Sequence, residues 1–310
     1  MKHNALSEDS WIKERISQPF KQRNIKYIKL LNDRITEAIA GLGDLKCRVE
    51  YKNNDATHNY SDPTFYYNYG SPAPYLAKVL PDGYGFDHFT PNDIYKNVSV
   101  QSGIRTKLLS LYNSGYFTRY PQPKLVENIS LPENYILVTM QNTKDTVWYR
   151  KDFTILANDI VAWSRENRKN VIFKWHNGCI DHSNPERWFS ELTEKSEYAS
   201  IDYKLPLSVL IKNCTMLWTA SSMSGIEALI CNKPVSIFGK TEYMEMATCA
   251  NNPDEAFLCE VPVDLDQWLT YYVNYYCINI INENSVTRIK NRILNYTEKG
   301  MNLYETIVRS

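Results

Sequence analysis

TMLWTASSMSGIEALICNKPVSIFG, residues 215–239, runs from an apolar strand through a turn of small hydroxyl residues into a helix and out into a second strand. TMLWTA (215–220) and PVSIFG (234–239) are short, apolar and without in–out alternation, which is how strands buried on both faces read. SGIEALICN (224–232) between them has helical texture and begins at small residues. A strand, a short helix and a strand in 25 residues imply a crossover between parallel neighbours in one sheet.

Working upstream, the same alternation continues. YILVTM (135–140) and NVIFKWH (170–176) are predicted strands, as is a segment around Ala199 to Tyr203. DFTILANDIVAWSREN (152–167), PERWFSELTEKS (185–196) and LPLSVLIKN (205–213) are predicted helices. The fold class is therefore α/β, and this half reads as a Rossmann-like domain whose ligand groups stand at the carboxyl ends of its strands. Upstream of residue 131 the texture differs. IKERI (12–16) and IKYIKLLNDRITEAIAGLG (25–43) predict helix, with Ile28, Leu31, Ile35 and Ile39 near a 3.6 period and Gly41 and Gly43 as the stop. From Glu50 to Gly103, a stretch rich in Tyr, Asn, Asp and Pro reads as loop-rich. The expected domains are 1–125 and 126–310, with the last helices of the second able to pack back on the first.

Composition narrows the classes. Hydrophobic residues are 43% and charged residues 23% of the 310, which is ordinary for a folded protein. No run approaches the roughly 18 apolar residues of a membrane-spanning helix, and MKHNALSEDSWIKERI lacks the apolar core of a signal peptide. The expected location is the cytoplasm, including the membrane periphery or a phage-infected host cell. Seven cysteines without a C-x-x-C pair, at 47, 179, 214, 231, 249, 259 and 277, fit neither a disulfide framework nor a zinc site. The net charge is zero, but residues 1–130 carry 17 Lys/Arg against 13 Asp/Glu, and residues 131–310 carry 18 against 22. Between Trp11 and Leu30 six basic residues face the single acid Glu14. This is either a solvated helix face or a surface for a polyanion or an acidic membrane.

Three segments carry candidate chemistry. Ser221, Ser222, Ser224 and Gly225 lie where a buried strand meets a helix start, so their N–H groups and hydroxyls can meet a phosphate, with Glu227 in the first helical turn. The alternative is a serine-capped turn with no ligand. Lys174 and His176 end a strand on the same edge of the sheet, where positive charge can stabilise a departing nucleotide, unless the histidine is merely structural. Gln141 and Asp145 follow the first strand of this half and either orient a base, ribose or sugar or cap the loop. The D-x-D string Asp264-Leu265-Asp266 reads as a helix start rather than a metal motif, so no metal and no cofactor beyond the co-substrate is expected.

Ser221, Ser222, Gly225, Glu227, Ala228, Leu229, Lys233, Pro234 and Val235 match a strand, Ser-Ser, Gly-h-Glu-Ala-Leu, Lys-Pro-Val pattern, with a later aromatic at Tyr243. Tyr135, Leu137, Val138, Gln141 and Asp145 match a second pattern, and Arg119, Tyr120 and Gln122 a third. In these the chain resembles the capsular polysaccharide synthesis family, the CMP-dependent Kdo transferases and their relatives. The resemblance implies a GT-B-like fold of two Rossmann-like domains facing a central cleft. It also implies transfer of a sugar from a nucleotide, CMP-sugar favoured, to an acceptor glycan or glycolipid. His176 is followed by Asn177 where the family has proline.

In the first half, PDGYGFDHFTPNDIYKNVS matches the family more loosely, at Asp82, Gly83, Tyr84, Thr90, Asn97 and Ser99. Relatives place a carboxylate from this half at the anomeric carbon. Asp82 is nominated as catalytic, with Asp87 and His88 in reserve, acting as nucleophile or as base according to whether configuration is retained or inverted. Two other functions stay open: a phage enzyme that glycosylates a hydroxylated cytosine in DNA, for which the basic first half is suited, and a sugar-nucleotide-binding protein without catalysis.

Overall fold

A computed structural model of the chain describes residues 21–43, 45, 48–51, 64–69, 73, 75–81, 93–114, 130–141, 153–174, 191–202 and 205–298. Two compact units divide it. One comprises Met1–Gly85, Asp93–Pro121 and Asp266–Ser310, and the other Phe86–Asn92 and Gln122–Leu265.

The second unit is built on six parallel strands: β4 (Ile136–Thr139), β5 (Val171–Lys174), β6 (Ala199–Asp202), β7 (Met216–Thr219), β8 (Val235–Ile237) and β9 (Thr248–Cys249). Their order across the sheet is β6-β5-β4-β7-β8-β9. The chain therefore starts in the middle, builds outward to one side, and returns across β4 to build the other side. Its reversal lies between β4 and β7, where parallel α/β sheets open a crevice at their carboxyl ends. The α/β class and each of the predicted strands of this half stand, with ends trimmed by one or two residues where the structure describes them.

Burial on both faces explains why these strands lack alternation. Ile136, Val138, Phe173 and Trp218 pack under helix α3 (Phe153–Asn167), against Phe153, Leu156, Ile160 and Trp163. Trp163 and Trp218 meet at 5.0 Å between ring centroids, and Phe238 closes on Trp218 edge-on at 6.1 Å. The intervening residues, Leu137 and Leu217, are equally buried on the opposite face. Helices α4 (Leu207–Asn213) and α5 (Ser224–Ile230) follow β6 and β7 in the chain, and the Tyr135 hydroxyl reaches Leu210 O in α4 at 2.6 Å.

In the first unit, helix α1 (Lys21–Ala40) buries Ile28, Leu31, Ile35 and Ala38, the face its period predicts, and leaves Ile39 half-buried. Gly43 ends the segment at φ +64°, a conformation glycine enters without steric cost. Strands β1 (Arg48–Tyr51), β2 (Thr64–Tyr69) and β3 (Leu76–Pro81) with β10 (Ile278–Asn279) form a sheet in that order. The β1–β2 pair is parallel, while β2–β3 and β3–β10 are antiparallel, so the described strands of this unit form a mixed sheet rather than a doubly wound one.

The loop-rich reading of Glu50 to Gly103 is thereby corrected at 64–69 and 76–81. In TFYYNY Phe65 and Tyr67, two positions apart, are wholly buried, and the run of tyrosines around them conceals a strand. LAKVLP is buried throughout from Leu76 to Leu80, and what conceals it is Lys78, only 2% exposed, with its ammonium 6.0 Å from the Tyr272 ring centroid.

The chain's last described segment completes this unit. After α2 (Ile104–Asn113) of this unit and α6 (Pro253–Phe257) of the other, helix α7 (Leu265–Tyr271) runs into a π-helical turn, Tyr272–Tyr276, and helix α8 (Ser285–Thr297) lays Ile289 and Ile293 into the same core as α1. Fully buried Arg292 donates to Tyr275 O at 2.7 Å and Tyr276 O at 2.9 Å, satisfying carbonyls at the end of the π turn. Burial, and then the neighbouring Arg288, pull its pKa down to about 10. Asp266 of the D-x-D string sits in the first turn of α7 and pairs with Arg105 at 3.1 Å. Among the described residues no helix is long and apolar enough to cross a membrane.

Candidate functional site

Because neighbouring strands are in register, side chains on the β4–β7 sheet line up across it. Thr139 pairs with Lys174 on one side and Thr219 on the other, and Lys174 pairs with Asp202. Thr219, Thr139, Lys174 and Asp202 thus form one transverse polar row at the carboxyl ends of β7, β4, β5 and β6. The row lies on the face opposite Trp163 and α3. Gln141 and Ser221, each two residues further along, add a second tier above it.

The row is joined by hydrogen bonds at the sheet's reversal. Thr139 Oγ1 and Ser224 Oγ are 2.7 Å apart, both buried. Thr219 Oγ1 donates to Thr139 O at 3.3 Å and accepts from Ser222 N–H at 3.3 Å. Gln141 clamps the turn from above: Ser221 N–H donates to its Oε1 at 2.6 Å, and its Nε2 donates to Ser221 Oγ at 3.1 Å. Buried hydroxyls and amides at such a junction need partners, and here they are one another's.

The turn's amides are also engaged. Ser224 N–H donates to Ser222 Oγ at 3.3 Å, Gly225 N–H to Ser222 O at 3.1 Å, and Ile226 N–H to Met223 O at 3.1 Å. The expectation of open N–H groups at the helix start is therefore corrected for residues 221, 222 and 224–226. What the turn presents is a fixed set of hydroxyls, with Ser222 and Met223 half-exposed at its crest. Two of the amide bonds go to serine or threonine oxygens at the long end of the hydrogen-bonding range, where the acceptor can rotate to another partner.

Lys174 belongs to the row but is held sideways. Its ammonium donates to Asp202 Oδ1 at 2.9 Å and to Leu205 O at 2.6 Å, and Asp202 Oδ1 also accepts from Leu205 N–H at 2.9 Å. The cluster is nearly closed to solvent and ties the end of β5 to the chain entering α4. Asp202 goes unnoticed in the sequence because it ends a weak strand whose interior faces are poorly patterned. Thr139 and Thr219 are missed for a different reason. Both close apolar runs, and only register shows that they are neighbours.

Of the sequence-nominated residues, Gln141, Ser221, Ser222, Ser224 and Gly225 converge at one junction, Glu227 lies half-buried one turn into α5, and Lys174 lies in the same row two strands from the turn. Asp145, His176, Asp82, Asp87 and His88 lie outside the described residues, as do Arg119, Tyr120 and Gln122. Among the described residues no three His, Cys, Asp or Glu groups gather as a metal site would need. None of the five described cysteines is in a disulfide, and burial pushes the Cys214 thiol up to about 12.

Residues 132–260 match the family described as capsule polysaccharide biosynthesis protein. Among solved structures, the Thermosulfurimonas dismutans KpsC beta Kdo 2,7 transferase resembles the chain with TM-score 0.50 at 16% identity, over 89% of this chain and 97% of that one. The beta Kdo 2,4 transferase of the same protein gives TM-score 0.51 at 15% identity, over 75% of this chain and 81% of that one. A UDP-GlcNAc 2-epimerase of Methanocaldococcus jannaschii gives 0.38 at 17% identity, over 87% and 81%. No curated protein matches in sequence. The recognition read from the serine turn holds: residues 132–260 carry the pattern of the capsule polysaccharide biosynthesis family, on an α/β fold like that of GT-B Kdo transferases.

Proposed function

We propose that the chain is a glycosyltransferase that holds a CMP-activated sugar at the serine turn and passes the sugar to a glycan or glycolipid acceptor. The observation that carries this reading is position. The hydroxyl-rich turn follows β7 beside β4, at the reversal of a parallel sheet, and Gln141 fixes it there at 2.6 Å. Nucleotides bind at such reversals because strand carboxyl ends and loop groups converge on one crevice. The family match over 132–260 spans every residue of this junction.

In this mechanism Ser222 and its neighbours meet the donor phosphate, and Gln141 and Asp145 hold the nucleoside end. His176, two residues beyond Lys174, stabilises the leaving phosphate while the Lys174–Asp202 pair fixes the strand behind it. Neutralising the phosphate with these groups leaves no step that requires a divalent ion, so transfer proceeds in EDTA. Asp82 is the carboxylate assigned to the anomeric carbon, with Asp87 and His88 as the alternatives for that role. As in a retaining path, its carboxylate bonds to the anomeric carbon as the nucleotide departs with the bonding electron pair, and the acceptor hydroxyl then displaces the carboxylate and gives up its proton to solvent.

Titration calorimetry with CMP, UDP and GDP tests the donor site. CMP binds tightest, and Ser222→Ala and His176→Ala each weaken it about tenfold, the scale of a lost hydrogen bond to a charged group. Equal affinity for the three nucleotides sinks the CMP assignment, and unchanged affinity in both variants sinks the site. Incubation with CMP-sugars and two acceptors, a lipid-linked oligosaccharide and DNA containing hydroxylated cytosine, then tests the acceptor. Sugar found on DNA alone overturns the glycan reading and leaves the donor site standing.

A further inference from the structure

The segment after β8 passes close to the serine turn and touches it twice. Gly239 N–H donates to Ala220 O at 2.8 Å, and a Cβ at position 239 would stand only 3.1 Å from that oxygen. Four residues on, Tyr243 is wholly buried, and its hydroxyl donates to Ser222 O. Its ring fills the space that a side chain at 225 would need, because a Cβ there would overlap Oη, Cζ and Cε2 of the tyrosine. The φ of Gly225 is not in the left-handed region, so glycine is required at 225 by lack of room and not by backbone conformation.

Ser222 O is a shared acceptor. It receives the Tyr243 hydroxyl and the Gly225 N–H, so the phenol holds the peptide from which α5 departs. Burial, and then the neighbouring Glu242 carboxylate, raise the Tyr243 phenol well above its ordinary value. The hydroxyl therefore keeps its proton and donates throughout the pH range in which the protein is handled. Gln141 and Thr139 restrain the turn through Ser221 and Ser224, while Ser222, the half-exposed member, is held at its N–H by Thr219 Oγ1 and at its carbonyl by the Gly225 N–H and, from outside the turn, by Tyr243.

We infer that Tyr243 is a positioning residue for the donor phosphate: by holding Ser222 O and filling the space beside Gly225, it sets where the Ser222 backbone and hydroxyl stand at the carboxyl edge of the sheet. The inference rests on the serine turn being the donor site. It adds a residue that touches no ligand yet determines the geometry of one that does.

Tyr243→Phe removes the hydroxyl and keeps the ring. Hydrogen exchange in the unliganded protein is expected to speed up about tenfold at the Ser224, Gly225 and Ile226 amides. The Kd for CMP rises about fivefold, as for one lost neutral hydrogen bond. A merely structural tyrosine would lower the melting temperature and leave the CMP affinity of the folded protein unchanged. A second set of variants uses the packing. Gly225→Ala weakens CMP binding in the wild-type background but adds no further loss to Tyr243→Ala, where the overlap is gone. Unchanged exchange at 224–226 in Tyr243→Phe overturns the restraint itself. Faster exchange with unchanged CMP affinity overturns the positioning role. A wild-type protein that binds none of CMP, UDP and GDP removes the donor-site reading and the positioning role with it, while the exchange result still reports whether the restraint exists.

Discussion

Adjacent residues of the same strands build two unlike surfaces on the six-stranded sheet. Under α3, Ile136, Val138, Phe173 and Trp218 make an almost wholly apolar layer whose contacts are non-directional. On the other face Thr219, Thr139, Lys174 and Asp202 stand in register, with bonds of 2.6 to 3.3 Å fixing each group. The first surface supplies stability and tolerates small shifts. The second is directional, so a shift of a few tenths of an ångström costs it partners. The polar row takes only the carboxyl end of its face, where Leu137, Ile172 and Leu217 are buried further back, so the sheet holds a precise site at one end while apolar packing on both faces supplies cohesion.

Substitutions on the two faces should separate these roles, beginning with the apolar one. Trp218→Ala empties the largest buried volume under α3 and should lower stability by about 3–5 kcal/mol, read from the denaturation midpoint. The CMP affinity of the protein that remains folded should not change. A large loss of affinity without loss of stability would erase the distinction between the faces. Lys174→Met, on the polar face, leaves Asp202 without its cation in a nearly closed cluster and should cost about 2 kcal/mol, less than a fully buried pair because some solvent reaches it. Adding Asp202→Asn should recover much of that loss. Failure to recover would mean that the pair does not act as a clamp. Ser224→Ala is the mildest test. It removes one partner of Thr139 and should cost about 1 kcal/mol, with Thr139→Val/Ser224→Ala no worse than Ser224→Ala alone. A strictly additive double variant would argue that the two hydroxyls are not coupled.

The sequence makes the second unit legible because its strands are short apolar runs separated by helices, a pattern in which local and tertiary preferences agree. Ser221, Ser222, Ser224 and Gly225 could be named because the turn breaks that pattern with small polar residues. Register could not be read. Nothing in YILVTM and TMLWTA says that Thr139 and Thr219 lie side by side, since that follows from β4 and β7 being neighbours although those threonines are 80 positions apart in the chain. The first unit is harder because its strands carry tyrosines and a buried lysine, residues whose apolar stems are buried while their polar ends suggest exposure. Tyr243 matches a motif position, but its packing against Gly225 joins the segment after β8 to the first turn of α5 and has no local signature.

Arg292 of α8 reaches the carbonyl of Val79, and β10 completes the sheet at β3, so the first unit is closed by residues some two hundred positions downstream of its first strands. During synthesis the ribosome delivers the whole of the second unit before those closing residues emerge. The amino-terminal strands must therefore wait, with β3 lacking its β10 partner, while the parallel sheet has everything it needs to fold. A nascent chain that has emerged as far as Leu265 holds every strand of the parallel sheet but lacks the β10 partner of β3.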